Sequence, residues 1–510
     1  MNYPVWEVAF GSGLVMAVVS VVHVFVSHFA VGGGLFLVLT EHKAYRENDA
    51  RLLEWLKKHT RFFVLVTVVF GAVTGVGIWF TIGLIQPTAT SNLIHIFVWG
   101  WAIEWVFFFL EITAALLYLY GWQKVERKLH LIYGWIYFVT AFMSMVVING
   151  MVSFMLTPGD WLQTHNFWDG FFNPTYWPSL FTRFLFSLAL AGIYALFTAT
   201  LQKDKVLRAK IVKWSLGWVI PAFILVALSA WWYRGAIPED VWLYARGVMP
   251  TATFYLKLMI IFAVLTFVLA ALAYLKAARL PFAFAVVITL TAFVTMWSFE
   301  FVREAIRKPY VIYDYVYGNS LYVRPIPGDD GFNTENLQEK GMLQTAKWVQ
   351  QREINEQNME QVGKEIFRLQ CMSCHTTEAY RGVKQYIETY QWDETVIAEM
   401  LRGIELMGRG MMPPFAGNDQ ERLALARYLA NLTTQVKPLS LRDGQKLYAS
   451  YCGVCHRSAA DEPAVEFFKE LEKEEAMEIL DNLPDLMEQM PALKLSPQQK
   501  QTLYEWLKNR

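Results

Sequence analysis

Residues 9–40 read AFGSGLVMAVVSVVHVFVSHFAVGGGLFLVLT, a stretch without Asp, Glu, Lys or Arg. An uncharged apolar segment of this length can cross the hydrocarbon core of a bilayer as a helix. It runs on to Glu41 without a small-residue cleavage site, so we expect a retained span and not a signal peptide. Seven further apolar segments of spanning length follow, at 62–86, 94–120, 131–156, 178–201, 212–233, 252–276 and 281–302. The sequence therefore predicts an all-α, polytopic bundle of eight transmembrane helices.

The Lys and Arg residues of the connecting loops are divided unevenly between alternate loops. Sixteen lie in one set and two in the other, the sets being 41–61, 121–130, 202–213 and 276–279 against 87–93, 157–177 and 234–251. Positively charged loops stay in the cytoplasm. The pattern predicts a multi-pass protein of the bacterial inner membrane with its N-terminus on the periplasmic side, and eight crossings return the chain to that side.

Charged residues are sparse before about residue 300 and dense after it, and 45 Lys and Arg balance 45 Asp and Glu. A chain without net charge is not suited to binding nucleic acid, which we exclude as a partner. The division predicts a membrane half and a soluble half. The expected domains are a membrane domain at 1–310, a linker or docking segment on the membrane face at 311–355, and two small all-α domains at 356–436 and 437–510.

The four cysteines of the chain all lie in two C-x-x-C-H motifs, Cys371-Met372-Ser373-Cys374-His375 and Cys452-Gly453-Val454-Cys455-His456. In this motif two thioethers attach the haem vinyl groups, and the adjacent histidine is held under the iron. Zinc would need two C-x-x-C pairs close together, whereas these pairs lie 81 residues apart. The motifs therefore predict two covalent c-type haems, which are attached outside the cytoplasm.

The same pattern precedes both motifs. A short amphipathic helix leads into the first cysteine, with an aromatic residue four positions before it, at Gly363–Cys371 and Gly444–Cys452. Each repeat ends in another helix with aromatic residues, at Leu425–Leu432 and Leu503–Leu507. Two terminal helices packed across one haem resemble class I cytochrome c.

A methionine in each repeat completes the predicted coordination, because a thioether on the second face of the haem raises its potential and closes the iron to small ligands. We expect Met412 in the first repeat and Met490 in the second. Met407, Met411 and Met487 are nearby alternatives.

Ionisable residues inside the apolar half are costly to place in lipid and are therefore functional candidates. His23 and His28 lie in the first span, and Glu104 and Glu111 lie two helical turns apart on one face of the third. Carboxylates at this depth need a cofactor, a cation or a file of water.

Other residues of the bundle have simpler interpretations. Arg183 and Lys257 lie near helix ends, where we expect them to snorkel to the interface. His28 and His95 are either hydrogen-bonded histidines or extra ligands or proton carriers. The glycines at 32–34 and at 71–77 allow either close helix contact or a cofactor between helices.

These residues resemble subunit I of cytochrome bd oxidases. The resemblance covers about residues 1–315 and eight of the family's nine helices. In the last span, Phe299–Tyr310 is similar to the signature G-W-x-x-x-E-x-G-R-Q-P-W, with Glu304 and Arg307 at its glutamate and arginine. The other similar segments are His23–Gly32 with Thr40-Glu41, Gly71–Gly75, and Ala102–Glu111 with Gly121-Trp122.

The resemblance implies a role for each of these residues. His23 and Glu304 would be axial ligands of two non-covalent haems of b or d type. A carboxylate suits a high-spin iron that keeps one coordination position open. Glu104 and Glu111 would carry protons to the oxygen-reducing haem, and Arg307 would belong to the same catalytic pocket.

The chain departs from the family in two places. The family's low-spin haem uses a histidine where this chain has Thr182, although Met259 matches its methionine. The family's long quinol-binding loop is reduced to 234–251, with Glu239 and Asp240. The departures imply that the third haem is absent or differently ligated and that quinol is not oxidised in the family's manner.

Together these patterns predict an enzyme, a membrane-bound haem oxidoreductase of the terminal-oxidase type. A periplasmic donor would reduce the c haems, and their electrons would pass to a haem pair in the bundle that reduces O2. Two alternatives stay open: an electron-transfer subunit of a larger respiratory complex without O2 reduction, and a reductase of another small ligand such as nitric oxide. Besides the lipid bilayer, the resemblance implies a second membrane subunit as partner.

Pyridine haemochrome analysis of the purified protein should find two c-type haems per chain together with non-covalent haems. Replacing both Cys452 and Cys455 by Ala should remove one covalent haem, whereas Met372→Leu, at an x position of the first motif, should remove none. A preparation with two c haems and no other haem would leave only the membrane-anchor interpretation.

Overall fold

The computed structural model describes residues 6–326, 333–434, 444–453, 456, 463–486, 490, 493 and 495–509. The predicted haem residue Cys455 and the alternative ligand Met487 lie outside these ranges. The chain forms two compact units, one of Met16–Thr81 with Thr90–Arg307 and one of Met1–Val15, Ile82–Ala89 and Lys308–Arg510.

Eight helical segments of the described chain are long and apolar enough to cross a membrane, which confirms the predicted bundle. The second of them, Ala50–Ile85, contains a π-helical turn at Leu65–Phe70. The α-helices up to residue 305 are α1 (Ser12–Arg46), α2 (Ala50–Val64), α3 (Gly71–Ile85), α4 (Pro87–Ile96), α5 (Val98–Gly121), α6 (Arg127–Phe154), α7 (Trp161–Thr164), α8 (Phe167–Phe171), α9 (Tyr176–Thr200), α10 (Lys205–Ala236), α11 (Glu239–Leu243), α12 (Pro250–Leu275) and α13 (Phe282–Ala305).

Helices of the bundle extend further into the charged loops than hydropathy alone predicts. The expected loop 41–61 contains the end of α1 and most of α2. Asp49 begins α2 by accepting hydrogen bonds from the backbone amides of Arg51 and Leu52, and Asp204 begins α10 in the same way. Capping by a carboxylate satisfies amides that the first helical turn leaves free. Polar caps therefore set these helix starts, and hydrophobic length does not.

Glycines allow the central helices of the bundle to touch. A Cβ on Gly32 of α1 would lie 1.9 Å from the carbonyl oxygen of Ser187 on α9. A Cβ on Gly192 of α9 would lie 2.3 Å from the carbonyl oxygen of Ser215 on α10. Backbones this close leave no room for a side chain, so these two glycines serve helix contact.

After residue 307 the chain forms a small hairpin followed by short helices. Strands β1 (Tyr310–Ile312) and β2 (Val316–Tyr317) pair antiparallel. The helices are α14 (Thr334–Lys340), α15 (Met342–Thr345), α16 (Met359–Gln370), α17 (Val383–Tyr390), α18 (Glu394–Arg402), α19 (Asp419–Ala430), α20 (Gly444–Tyr451), α21 (Pro463–Glu470), α22 (Lys473–Asp481), α23 (Leu483–Leu486) and α24 (Pro497–Lys508).

The segment predicted as a linker at 311–355 is folded against the first C-terminal domain. Buried Glu421 of α19 accepts hydrogen bonds from the backbone amides of Met342 and Leu343, at 2.8 and 2.7 Å. Leu321 and Leu337 share an apolar cluster with Leu369 of α16. The segment is therefore part of that domain's packing.

The two C-terminal repeats have the same helix crossing. In the first, a Cβ on Gly363 of α16 would lie 2.1 Å from the carbonyl oxygen of Ala424 on α19. In the second, a Cβ on Gly444 of α20 would lie 2.3 Å from Cβ of Trp506 on α24. An aromatic pair lies beside each crossing, Phe367–Tyr428 in the first repeat and Tyr448–Trp506 in the second. The repeat seen in the sequence is thus a repeat of tertiary contacts.

Replacing Gly192 by Ala should destabilise the bundle by about 1–3 kcal/mol, because the methyl group overlaps a backbone oxygen that belongs to a packed helix. Thermal unfolding of the purified protein in detergent measures the loss. Gly217→Ala on α10 is the matched control, since no atom lies within 4 Å of the added Cβ. Equal midpoints for the two variants would contradict this account of the α9–α10 contact.

Candidate haem sites

The first C-x-x-C-H motif forms a tight turn at the end of α16. The amide of Cys371 donates to the carbonyl oxygen of Phe367, and the amide of His375 donates to that of Cys371, each at 2.8 Å. The imidazole Nδ1 of His375 lies 3.1 Å from the carbonyl oxygen of Arg381 and donates to it. A carbonyl accepts only, so the proton sits on Nδ1 and Nε2 keeps its lone pair. This is the tautomer that an axial iron ligand needs.

Burial also favours the neutral forms of Cys371 and His375 in this turn. It lowers the pKa of His375, against the hydrogen bond to Arg381, and so favours the neutral imidazole. Burial, with the nearby Cys374, raises the pKa of the Cys371 thiol to about 12. A neutral thiol and a neutral imidazole are the forms expected of a C-x-x-C-H site before haem attachment.

Three methionines of the first repeat lie in or beside one apolar cluster. Met400 and Met407 are buried in it, and Met412 packs against its edge together with Tyr451 of the second repeat. Met412 is half-buried. Its assignment as the ligand stays a prediction, with Met407 as the buried alternative.

The second motif repeats the turn of the first as far as the structure describes it. The amide of Cys452 donates to the carbonyl oxygen of Tyr448, and the amide of His456 donates to that of Cys452, each at 2.8 Å. Met490 is half-buried against the apolar core of this repeat. In the described part of the chain, no three His, Cys, Asp or Glu residues group as a metal site would require.

In the bundle, His23 is oriented by α3. Its Nδ1 lies 3.1 Å from the hydroxyl oxygen of Thr74, whose own proton goes to the carbonyl oxygen of Phe70 or Gly71. Nδ1 therefore donates, and Nε2 keeps its lone pair. Gly75 makes room for the ring, since a Cβ there would lie 3.0 Å from Cε1 of His23.

His28 has the same tautomer in a more closed setting. Its Nδ1 donates to the carbonyl oxygen of Val24 at 2.7 Å, while Nε2 is buried without a hydrogen-bond partner. His95 is exposed and donates to the carbonyl oxygen of Ser91 at 2.7 Å. Its hydrogen bond thus agrees with the simpler interpretation of His95, whereas Nε2 of His28 has no hydrogen-bond partner.

Glu304 and Arg307 form an ion pair at the end of α13. The arginine is 2% exposed, and its Nε and Nη1 atoms are buried without a partner. The glutamate side chain is 43% exposed, so it can exchange this ion pair for another ligand.

Sequence reasoning missed Glu300, one helical turn before Glu304. This carboxylate is buried and lies 2.9 Å from both the Arg183 and the Arg303 guanidinium groups. The expectation that Arg183 snorkels was wrong, because a buried ion pair compensates its charge within the bundle. The detectable signal was the spacing of Glu300, Arg303, Glu304 and Arg307, at i, i+3, i+4 and i+7 of an apolar helix.

These charges fit the haems that the motifs imply. Donor atoms of Arg303, Arg307 and Tyr233 are buried without partners beside the Glu300 and Glu304 carboxylates. Each of the two arginines already pairs with a glutamate, and its remaining donors could bind a further anionic group such as a haem propionate. His23 and Glu304 would hold the irons, and the arginines would bind propionates.

Thr182, which aligns with the low-spin haem histidine in the resemblance to the bd family, makes a contact between two helices. Thr182 of α9 is buried and donates to the carbonyl oxygen of Pro178 at 2.8 Å, and its hydroxyl lies 3.0 Å from that of Ser229 on α10. Met259, the predicted partner ligand, is half-buried on α12. Position 182 offers a helix contact and no iron ligand.

The two membrane carboxylates face a neighbouring helix. The hydroxyl of Ser144 on α6 donates to Glu104 at 3.1 Å, and the hydroxyl of Tyr137 donates to Glu111 at 3.1 Å. Both glutamates are half-buried. The shared face expected from their spacing is therefore the α5–α6 interface.

Eight apolar spans, histidines with free Nε2 atoms and two C-x-x-C-H turns define a polytopic membrane haem protein. Residues 12–237 match the family model of cytochrome bd terminal oxidase subunit I. Residues 358–429 and 440–507 match the model of cytochrome c oxidase, cbb3-type, subunit III. The chain is thus a membrane haem oxidoreductase that joins a cytochrome bd-like domain to two cytochrome c domains.

A solved structure supports the fold. The bd oxidase from Geobacillus thermodenitrificans superposes with a TM-score of 0.51 at 18% identity, covering 59% of this chain and 87% of that one. No curated protein is similar enough to match the chain. The match to the bd family model ends at residue 237, so the roles of Met259, Glu304 and Arg307 rest on their motifs alone.

Met412→Ala should remove the methionine–iron charge-transfer absorption of one ferric c haem and lower its midpoint potential, because the thioether stabilises the reduced iron. Near-infrared absorption and a redox titration of the purified protein measure both effects. Met407→Ala should leave the absorption band in place. The opposite pattern would make Met407 the ligand.

Proposed function

We propose that the protein is a cytochrome c-linked terminal oxidase that reduces O2 in its membrane bundle. The observation that carries this proposal is that the chain lacks a ligand of the family's electron-accepting haem and carries its own c-type haem motifs. Thr182 and its contact with Ser229 stand where the family has a low-spin haem ligand, and two c-type haem sites are fused to the same chain. The reduced loop at 234–251 agrees, since it removes the family's means of binding quinol.

The side chains of the two haem classes suit different tasks. In the C-terminal repeats, a histidine and a methionine would occupy both faces of the iron, which favours electron transfer. In the bundle, His23 and Glu304 would each supply one ligand, which leaves a position for a small oxidant. When bound, the haems would supply electron transfer and oxygen reduction, as is usual for this cofactor.

Inside the bundle, the protein's own side chains would bind the haem propionates and deliver protons. Arg303 and Arg307 would hold the propionates in place with donors that are otherwise unpaired. Glu111 and Glu104 would deliver protons, because each carboxylate lies against a hydroxyl on α6 that can relay one. Each electron that reaches oxygen must be matched by a proton to form water.

We place the cytochrome c domains and the N-terminus in the periplasm and the Lys/Arg-rich loops in the cytoplasm. Ser12, at the start of α1, donates a hydrogen bond to the carbonyl oxygen of Ser373 in the first haem motif, which supports a common side for both. A soluble periplasmic electron carrier would be the donor. A second bd-like membrane subunit is the partner that the family resemblance suggests.

Purified protein supplied with reduced cytochrome c should consume oxygen. His23→Ala and Glu304→Ala should each abolish the uptake, since each removes an axial ligand of a bundle haem. Glu54→Gln, which alters an exposed ion pair with Lys58, should leave the rate unchanged. An oxygen electrode measures the rates, and haemochrome analysis shows which haem each variant has lost.

Absence of oxygen uptake in the intact protein, together with bundle haems that bind no carbon monoxide, would refute the oxidase proposal and favour an electron conduit. Carbon monoxide binding without oxygen uptake, together with consumption of nitric oxide, would favour a reductase of that ligand.

A further inference from the structure

The two haem repeats of the C-terminal unit touch each other beside a haem motif. Trp392, between α17 and α18 of the first repeat, donates a hydrogen bond from its indole Nε1 to the backbone carbonyl oxygen of Ser450 at 2.9 Å. Ser450 is 3% exposed and lies on α20 of the second repeat, two residues before Cys452. We call the contact formed by Trp392, Ser450 and Tyr451 the repeat junction.

Trp392 is held in place by its own repeat. Its backbone amide donates to the carbonyl oxygen of Ile387 on α17 at 3.1 Å, and its ring stacks on Tyr390 with the centroids 5.2 Å apart. Asp393, the next residue, begins α18 by accepting a hydrogen bond from the backbone amide of Val396 at 2.9 Å. The end of one helix and the start of the next therefore fix the indole whose N–H reaches the second repeat.

Tyr451 brings the second haem motif against the methionines of the first repeat. It directly precedes Cys452, whose sulfur would hold the second haem. Its side chain packs against the apolar cluster that contains buried Met407, and Met412 packs against the same cluster. Both candidate ligands of the first haem thus belong to this cluster or border it. Packed atoms therefore connect the attachment site of one haem with the predicted axial ligand of the other.

The first haem motif adjoins chain segments that lead into the membrane spans. The hydroxyl of Ser12, the first residue of α1, donates to the carbonyl oxygen of Ser373 at 3.4 Å. Gln86 follows the second span, and its side-chain amide donates to the carbonyl oxygen of Gly318. A Cβ on Gly318 would lie 3.7 Å from Sγ of Cys374. These contacts favour the first haem as the one that gives electrons to the bundle.

We propose that electrons enter at the second c haem and cross the repeat junction to the first, with Tyr451 bridging the two sites and Trp392 as the positioning residue. One electron leaves the ferrous iron held by His456 and reduces the ferric iron held by His375. Neither aromatic residue is oxidised. Their role is to keep the two sites in contact through packed atoms, across which an electron tunnels faster than across solvent. The inference deepens the proposed function and rests on it for the direction of flow, since the bundle must be the acceptor.

The test mixes the full haem-loaded chain with reduced soluble cytochrome c in the absence of oxygen and follows reduction of the non-covalent bundle haems by absorbance. Tyr451→Ala and Trp392→Phe should each slow this reduction several-fold, because each removes a contact of the junction. Tyr451→Phe keeps the ring and should restore the wild-type rate. Ascorbate with a small mediator reduces both c haems directly, so all three variants should then reduce the bundle haems as fast as wild type.

Loss of the second haem tests the order of the two sites. The double substitution Cys452→Ala with Cys455→Ala should abolish reduction of the bundle haems by cytochrome c, whereas reduction by ascorbate and mediator should persist through the first haem. Fast reduction by cytochrome c in this variant would overturn the assignment of the second haem as the entry. The Tyr451 and Trp392 variants keep every haem-binding residue, so they decide the role of the junction even if the double variant fails to fold.

Trp348→Phe is the matched control for Trp392→Phe. Trp348 belongs to the same unit but is 57% exposed, so its substitution should leave every rate unchanged. Redox titration, haemochrome analysis and thermal unfolding complete the comparison. Midpoint potentials and haem content equal to wild type in the slowed variants would support a positioning role. Slowing that comes with a lost haem or a shifted potential would overturn it in favour of a purely structural one.

The outcomes separate this inference from the proposed function. Wild-type rates with cytochrome c in both Tyr451→Ala and Trp392→Phe would overturn the junction and leave the oxidase standing. Slowed reduction in both variants of a protein that consumes no oxygen would support the junction and refute the oxidase. An intact protein whose bundle haems take no electrons from cytochrome c would refute both.

Discussion

A bilayer offers no water to a polar side chain, and this constraint organises the membrane half of the protein. Each charged group inside needs a partner from the protein or from a cofactor. Glu300 does so with Arg183 and Arg303, and Glu41 does so with Tyr118 and His130. Arg307 pairs with Glu304, and two further nitrogens of its guanidinium are buried without a partner. The buried ion pairs of α13 and the hydrogen bonds of Glu41 both follow from this rule.

Glycines let the helices of the bundle pack closely. The α1–α9 and α9–α10 crossings bring backbones together at Gly32 and Gly192, and across the second of them the hydroxyls of Thr182 and Ser229 lie 3.0 Å apart. The same device recurs in the soluble repeats, where Gly363 and Gly444 let an entering helix cross a terminal helix. Small residues thus allow helices to cross closely in both halves, although one half is surrounded by lipid and the other by water.

The histidines show how a second hydrogen bond prepares a ligand. His23, His28 and His375 each donate from Nδ1 to a fixed acceptor, which leaves Nε2 unprotonated. His130 differs because its Nε2 carries the hydrogen toward a carbonyl and its Nδ1 faces a carboxylate. Three of these histidines thus keep a lone pair on Nε2, the form in which a neutral imidazole can bind iron, whereas Nε2 of His130 carries a hydrogen.

The sequence by itself determined the eight spans, the two haem c motifs and the repeat around them, because hydrophobic length and covalent attachment depend on residues that are neighbours along the chain. It also singled out His23, Glu104 and Glu111, since polar residues in apolar segments stand out by composition. Only the tertiary structure revealed the ion pairs of Glu300, the burial of Arg183 and the hydrogen bonds of buried Glu41 with Tyr118 and His130. Those features join residues that are far apart in sequence. A charged residue looks the same in a sequence whether its side chain forms a buried ion pair or lies at the membrane surface.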